Sequence, residues 1–126
     1  MAFQIFLVGI GGFMGSVFRF LLSGFVYRMV PFAEFPLGTL AVNVLGCLLI
    51  GVLNGLAETR QMIGPDLRLF LMIGMLGGFT TFSTLGYETL ALIRDDALVQ
   101  AMGNVVVQVV LGLLAVWLGD MLGRVV

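Results

Sequence analysis

A bundle of four membrane-spanning helices, all-α and without strands, is the fold class that this sequence predicts. Three observations predict it. Of 126 residues, 60% are apolar and only 10% are charged, where a soluble domain carries roughly one-quarter charged residues. The apolar residues gather into four runs, 3–27, 37–57, 67–93 and 97–122, and each reaches the roughly 20 residues that a helix needs to cross a hydrocarbon core. The runs are continuous and glycine-rich, whereas strands of a membrane barrel are short and alternate apolar with polar positions. So little remains outside the runs that residues 1–126 read as a single four-helix transmembrane domain.

The first run has no basic stretch before it and no small-residue cleavage pattern, so it reads as a mature first helix and not as a signal peptide. Its one charge is Arg19, eight residues before the end of the run. A guanidinium at that depth either snorkels to water or draws anions into a vestibule.

Pro36 suits the start of the second helix, because its fixed φ is helical and its missing N–H would be unpaired there anyway. Thr39 and Asn43 lie one turn apart and share a face. The Asn43 amide has two N–H donors and one acceptor, which serve either to pair helices or to donate to a desolvated anion. Cys47 is the only cysteine, so no intrachain disulfide exists. With no His in the chain, neither an imidazole proton relay nor a Cys/His metal site is available.

After Pro65 the third run carries an unusual mid-span text, Gly74-Met-Leu-Gly-Gly-Phe-Thr-Thr-Phe-Ser-Thr-Leu-Gly-Tyr-Glu88. Gly77 and Gly78 followed by Thr80 and Thr81 predict a helix broken between Gly77 and Thr80. Broken backbone at membrane depth survives only inside protein or beside water, and its exposed carbonyls can hold a cation. A single hydroxyl more commonly back-bonds to the preceding turn; Thr80, Thr81, Ser83 and Thr84 form a cluster. Thr84 and Glu88 share a face at i, i+4. Glu88 is the only carboxylate well inside a span, and is either a functional group or a partner for Arg94. Phe82 packs like any membrane aromatic or turns its electropositive edge to an anion.

Every run holds small residues four apart: Gly11/Gly15, Gly51/Gly55, Gly74/Gly78 and Gly119/Gly123. That spacing lets helix backbones approach closely where lipid provides no hydrophobic drive. Four helices can bundle but hardly enclose a pore, so a channel requires a homodimer or larger assembly.

Alternate joints carry nearly equal positive charge. Arg60, Arg68 and Arg124 fall on one side, Arg28 and Arg94 on the other. The Lys/Arg difference sets orientation, so insertion both ways is expected, the alternative being a weak bias that still selects one orientation. A net charge of −1 excludes a basic footprint for nucleic acid.

Taken in order, Gly15-x-x-x-Arg19, Gly38-Thr39-Leu40-x-Val42-Asn43-x-x-Gly46 and Gly74-x-x-Gly77-Gly78-x-Thr80-Thr81-Phe82-Ser83-Thr84-x-x-x-Glu88 resemble the signatures of the Fluc (CrcB) fluoride channel family across nearly the whole chain. The resemblance implies an antiparallel, dual-topology homodimer in a bacterial plasma membrane, with two fluoride pores and a sodium ion at the dimer centre. Its activity would be passive export of cytoplasmic fluoride, which confers fluoride resistance and involves no enzymatic step. Position by position, Asn43 resembles the pore amide and Phe82 the ring of the family's aromatic box. Ser83, Thr84 and Glu88 resemble the polar track, with Thr39 and Gln108 beside it. Gly77 and Thr80 match the sodium ligands, through backbone carbonyls, and Arg19 matches an arginine placed near the anion vestibule.

Two departures stand out. Leu85 occupies the place of a second Phe, leaving one ring per subunit, and Gly112 and Val116 replace hydroxyls that would continue the track in the last span, where Gln108 compensates in part. A small proton-coupled multidrug transporter is the competing reading, but it wants a carboxylate in the first span, which has none. An assembly subunit without transport is a third.

Overall fold

Helices account for all the regular structure of the described residues, 1–60 and 63–126 of the computed structural model. The second joint, 58–66, contains Gln61 and Met62, which lie outside the described residues, as does the side chain of Arg60. Helix α1 covers Ala2–Met29 and α2 covers Leu37–Arg60. The third span is composite: α3 (Pro65–Arg68), a π-helical run (Leu69–Leu76), α4 (Gly77–Phe79) and α5 (Phe82–Arg94). Helix α6 covers Leu98–Val125. No strand occurs among the described residues, and four segments are long and apolar enough to cross a membrane. At 1.5 Å per residue the 28 residues of α1 extend ~42 Å, more than the ~30 Å of a hydrocarbon core.

Local chemistry sets several ends. Pro65 stands at the first position of α3 behind an extended Gly64, where a missing N–H costs nothing. The turn between α5 and α6 passes through Asp96 at φ 57°, a left-handed conformation that a short polar side chain tolerates.

Most large apolar side chains face outward, and small and polar ones line much of the interior, unlike a soluble bundle. The buried residues of α6 are Ala101, Asn104, Gln108, Gly112, Ala115, Gly119 and Gly123, a seam at spacings of three and four. Val99, Val106, Leu113 and Trp117 on the same helix are exposed, as expected where lipid is the solvent. Glycines decide which helices touch. A Cβ on Gly51 or Gly55 would strike the carbonyl oxygens of Val116 and Asp120, and one on Gly119 or Gly123 would strike those of Leu48 and Val52. Helices α2 and α6 therefore meet backbone to backbone. In the same way Gly11 and Gly15 lie against the Phe70 and Met75 carbonyls, and Gly78 against that of Gly12, joining α1 to the third span. Val42, Leu76 and Phe79 form the apolar centre between these pairs.

At one end, Arg124 reaches Glu58 (2.6 Å) and Asp120 (2.7 Å), and Asn54 Nδ2 donates to Asp120 Oδ1 (3.1 Å), linking α2 to α6.

Candidate functional site

Helical geometry gives way to extended backbone at Thr80 (φ −81°, ψ 157°) and Thr81 (φ −152°, ψ 115°). Gly77 itself is helical (φ −62°, ψ −38°). The extended residues are thus the hydroxyl pair and not the glycines, and a side chain from another helix captures the backbone of Thr81. Asn43 Oδ1 accepts the Thr81 N–H (2.9 Å) and Asn43 Nδ2 donates to the Thr81 carbonyl (3.1 Å). One amide thereby satisfies both polar groups of a residue that helical bonds have released, as a medium without water demands.

Among the carbonyls that lose their helical partners are those of Gly77 and Thr80. The N–H that would close a helical turn on Gly77 O is that of Thr81, already held by Asn43. The one that would close on Thr80 O belongs to Thr84, and it goes to Thr81 Oγ1 (3.2 Å), which caps α5 in the manner of N-terminal Thr residues. Arg19 Nη1 points at Thr80 O from 3.5 Å, so the guanidinium is turned inward and half-buried.

Around Thr81 the hydroxyls gather. Its Oγ1 donates to Thr84 Oγ1 (3.0 Å) and lies 3.2 Å from Ser83 Oγ. Farther along α5, Glu88 Oε1 accepts a 2.6 Å hydrogen bond from Thr39 Oγ1 on α2. Glu88 is thus partnered by Thr39 and makes no ion pair with Arg94 among the described residues. Asn43 Nδ2 also donates to Gln108 Oε1 (2.7 Å), which brings α6 into the site.

These side chains border three open recesses. The first, about 370 Å³, is bounded by Asn43, Thr80, Thr81, Phe82, Leu85 and Gln108. The second, about 310 Å³, holds Arg19, Thr39, Thr81 and Thr84, and the third, about 240 Å³, holds Tyr27, Glu34, Glu88 and Asp95. Thr81 borders both of the first two.

Asn43, Thr84, Gln108, Thr39, Glu88 and Arg19 are therefore brought together along the extended segment and α5. Ser83, Gly77 and Phe82 instead turn to the exposed side of this chain, the Phe82 ring being 85% exposed, while Leu85 is 8% exposed. Sequence reading missed Asn104, fully buried on α6, and Thr89, its partner on α5. Asn104 and Gln108 one turn apart in an apolar span was the available signal. It also passed over Thr81 as a hub, since a capping hydroxyl is recognised only once the helix start is known.

A polytopic helical membrane protein with a hydrogen-bonding site at span depth is the class that fold and site define. Residues 6–120 match the family described as CrcB-like protein, Camphor Resistance (CrcB), and the chain belongs to that family. Three proteins named Fluoride-specific ion channel FluC are among those similar to it. That of Methylobacillus flagellatus is 48% identical over 117 residues, covering 93% of this chain and 91% of its own. That of Citrifermentans bemidjiense is 44% identical over 121 residues (96% and 97%), and that of Nitratidesulfovibrio vulgaris 44% identical over 123 residues (98% of each).

Proposed function

We propose that this chain is one subunit of a fluoride-selective channel, an antiparallel dual-topology homodimer in a bacterial inner membrane that releases cytoplasmic fluoride passively. The observation that carries the reading is the Asn43 amide, which binds the extended Thr81 and Gln108 in one recess beside Phe82. Relatives that bear the name of fluoride-specific channels, similar over more than nine-tenths of the chain, support it.

Fluoride is small and strongly hydrated, so a pore must replace its water with hydrogen-bond donors and ring edges at close quarters. Asn43, Gln108, Ser83, Thr84 and Thr39 line the path, Phe82 supplies the edge, and Glu88 ends the track. The Asn43 and Thr39 donors are spent within the chain on Thr81, Gln108 and Glu88, while Gln108 and Thr84 keep a donor for the anion. Arg19, beside the second recess, raises the local anion concentration. The membrane potential drives the anion out at ~2.3 kcal/mol per charge per 100 mV. No chemical turnover is required.

The third helix is read as broken at Thr80 and Thr81. The carbonyls of Gly77 and Thr80 are released from the helical ladder, and these two residues of each subunit would hold the sodium ion, with Arg19 Nη1, 3.5 Å from Thr80 O, turned away from it. Bound there, the ion supplies positive charge that fastens two copies together. The exposed Gly77, Phe82 and Ser83 fit a face that a second copy covers, and the balanced arginines fit insertion of the two copies in opposite senses.

Liposomes reconstituted with purified protein, read with a fluoride electrode and with chloride as the control anion, test the function. Fluoride efflux without chloride efflux is expected, and no efflux from well-folded dimer overturns the reading. Uniform labelling of a C-terminal reporter from one side of the membrane overturns dual topology.

A further inference from the structure

A chain of side-chain hydrogen bonds crosses three helices behind the recess, and its direction is fixed from both ends. Thr89 Oγ1 on α5 spends its proton on the Leu85 carbonyl (2.7 Å), so it meets Asn104 only as an acceptor, and Asn104 Nδ2 donates to it (3.1 Å). That choice leaves Asn104 Oδ1 facing Gln108, whose Nε2 donates to it (3.0 Å). Gln108 is then oriented with Oε1 toward Asn43, where it accepts from Nδ2 (2.7 Å). At the far end the Thr81 N–H is a donor and nothing else, so it demands Asn43 Oδ1 (2.9 Å). A flip of any one amide would set donor against donor or acceptor against acceptor.

This polarity determines which donors remain. Both Asn43 N–H groups are engaged, one by Thr81 O and one by Gln108 Oε1. Gln108 gives one N–H to Asn104, and its second has no partner among the described residues while its side chain borders the recess. Asn104 is 0% exposed and Gln108 6%, so water does not reorient them, and buried polar chains of this kind hold one arrangement.

We infer that Asn104, anchored by Thr89, is a positioning residue that holds the Gln108 amide with an N–H free for the anion and its oxygen on Asn43. The inference rests on the channel reading for its consequence, since it assigns a donor to a last span whose hydroxyl positions have become Gly112 and Val116. Its core, the orientation of two amides, is a property of the fold.

Thr89→Val preserves shape and removes the acceptor, Thr89→Ser restores it, and Asn104→Leu removes the middle of the chain. Thr59→Val is the control, because among the described residues the Thr59 hydroxyl bonds only to Gly55 of its own helix. Two readouts are taken on reconstituted protein: initial fluoride efflux, and the side-chain amide NMR signals of Asn43 and Gln108. Thr89→Val is expected to slow efflux by about five- to tenfold, the scale of one buried hydrogen bond, with Thr89→Ser close to wild type and Thr59→Val unchanged. The amide signals should shift in Thr89→Val and Asn104→Leu and stay in place in Thr89→Ser and Thr59→Val. In a Gln108→Leu background, Thr89→Val should add nothing. Unmoved amide signals, or wild-type efflux from Thr89→Val while Gln108→Leu is impaired, would overturn the inference. Wild-type protein that conducts no fluoride, with amide signals that still shift, would overturn the channel reading and leave the positioning role standing.

Discussion

Thr39 Oγ1 lies 2.6 Å from Glu88 Oε1, donating across from α2 to α5, and Glu88 Oε2 is buried without a partner among the described residues. A carboxyl oxygen left so inside a membrane protein is costly, and the single Thr39 bond is what the group keeps. Thr39→Val removes it at constant shape. Thermal unfolding of the purified protein should show a loss of about 1–3 kcal/mol, Thr39→Ser should restore most of it, and an unchanged melting profile would mean that the bond is not formed.

Asn43→Asp exchanges an amide with two donors for a carboxylate. Thr81 keeps an acceptor for its N–H, but its carbonyl and Gln108 Oε1 each lose their donor, and a negative charge enters the recess. Fluoride efflux should fall to background in the liposome assay, while folded protein persists on size-exclusion chromatography. Undiminished efflux would place the anion path elsewhere.

Phe82 and Leu85, three residues apart on α5, should respond in opposite ways. Phe82 is 85% exposed on the isolated chain and Leu85 only 8%. Phe82→Ile should reduce efflux with little change in melting temperature. Leu85→Phe inserts a ring where the chain is already packed, and overpacking of this kind costs about 1–3 kcal/mol. The second ring cannot then be regained without loss of stability, and a Leu85→Phe protein as stable as wild type would contradict the packing described for this helix.

Glycine substitutions separate contact from open space. A Cβ on Gly15 or Gly119 would overlap the backbone oxygens of Met75 and Leu48 respectively, whereas one on Gly24 meets nothing within 4 Å. Gly15→Ala and Gly119→Ala should each destabilise by about 1–3 kcal/mol, since neither helix can yield without separating from its neighbour. Gly24→Ala should melt with wild type. Equal behaviour of all three in a thermal unfolding series would sink the zipper description.

The sequence by itself determined the class of fold and much of the site. Apolar runs of span length declare helices because backbone groups in hydrocarbon have no other partner. Polar residues at that depth, Asn43, Glu88 and Gln108 among them, stand out because burying them there is expensive. The glycine pairs announced close helix contacts. Tertiary structure alone decided which helices those contacts join, α2 with α6 and α1 with the third span, because a spacing of four says that a backbone approaches without saying whose. It also decided that Thr80 and Thr81, and not the glycines before them, take extended backbone, since the amide that captures Thr81 lies 38 residues away in the chain. Asn104 and Thr89 became visible for the same reason. A hydrogen bond depends on the distance between two groups in space, and each of these side chains, read alone, is one more polar residue in an apolar helix.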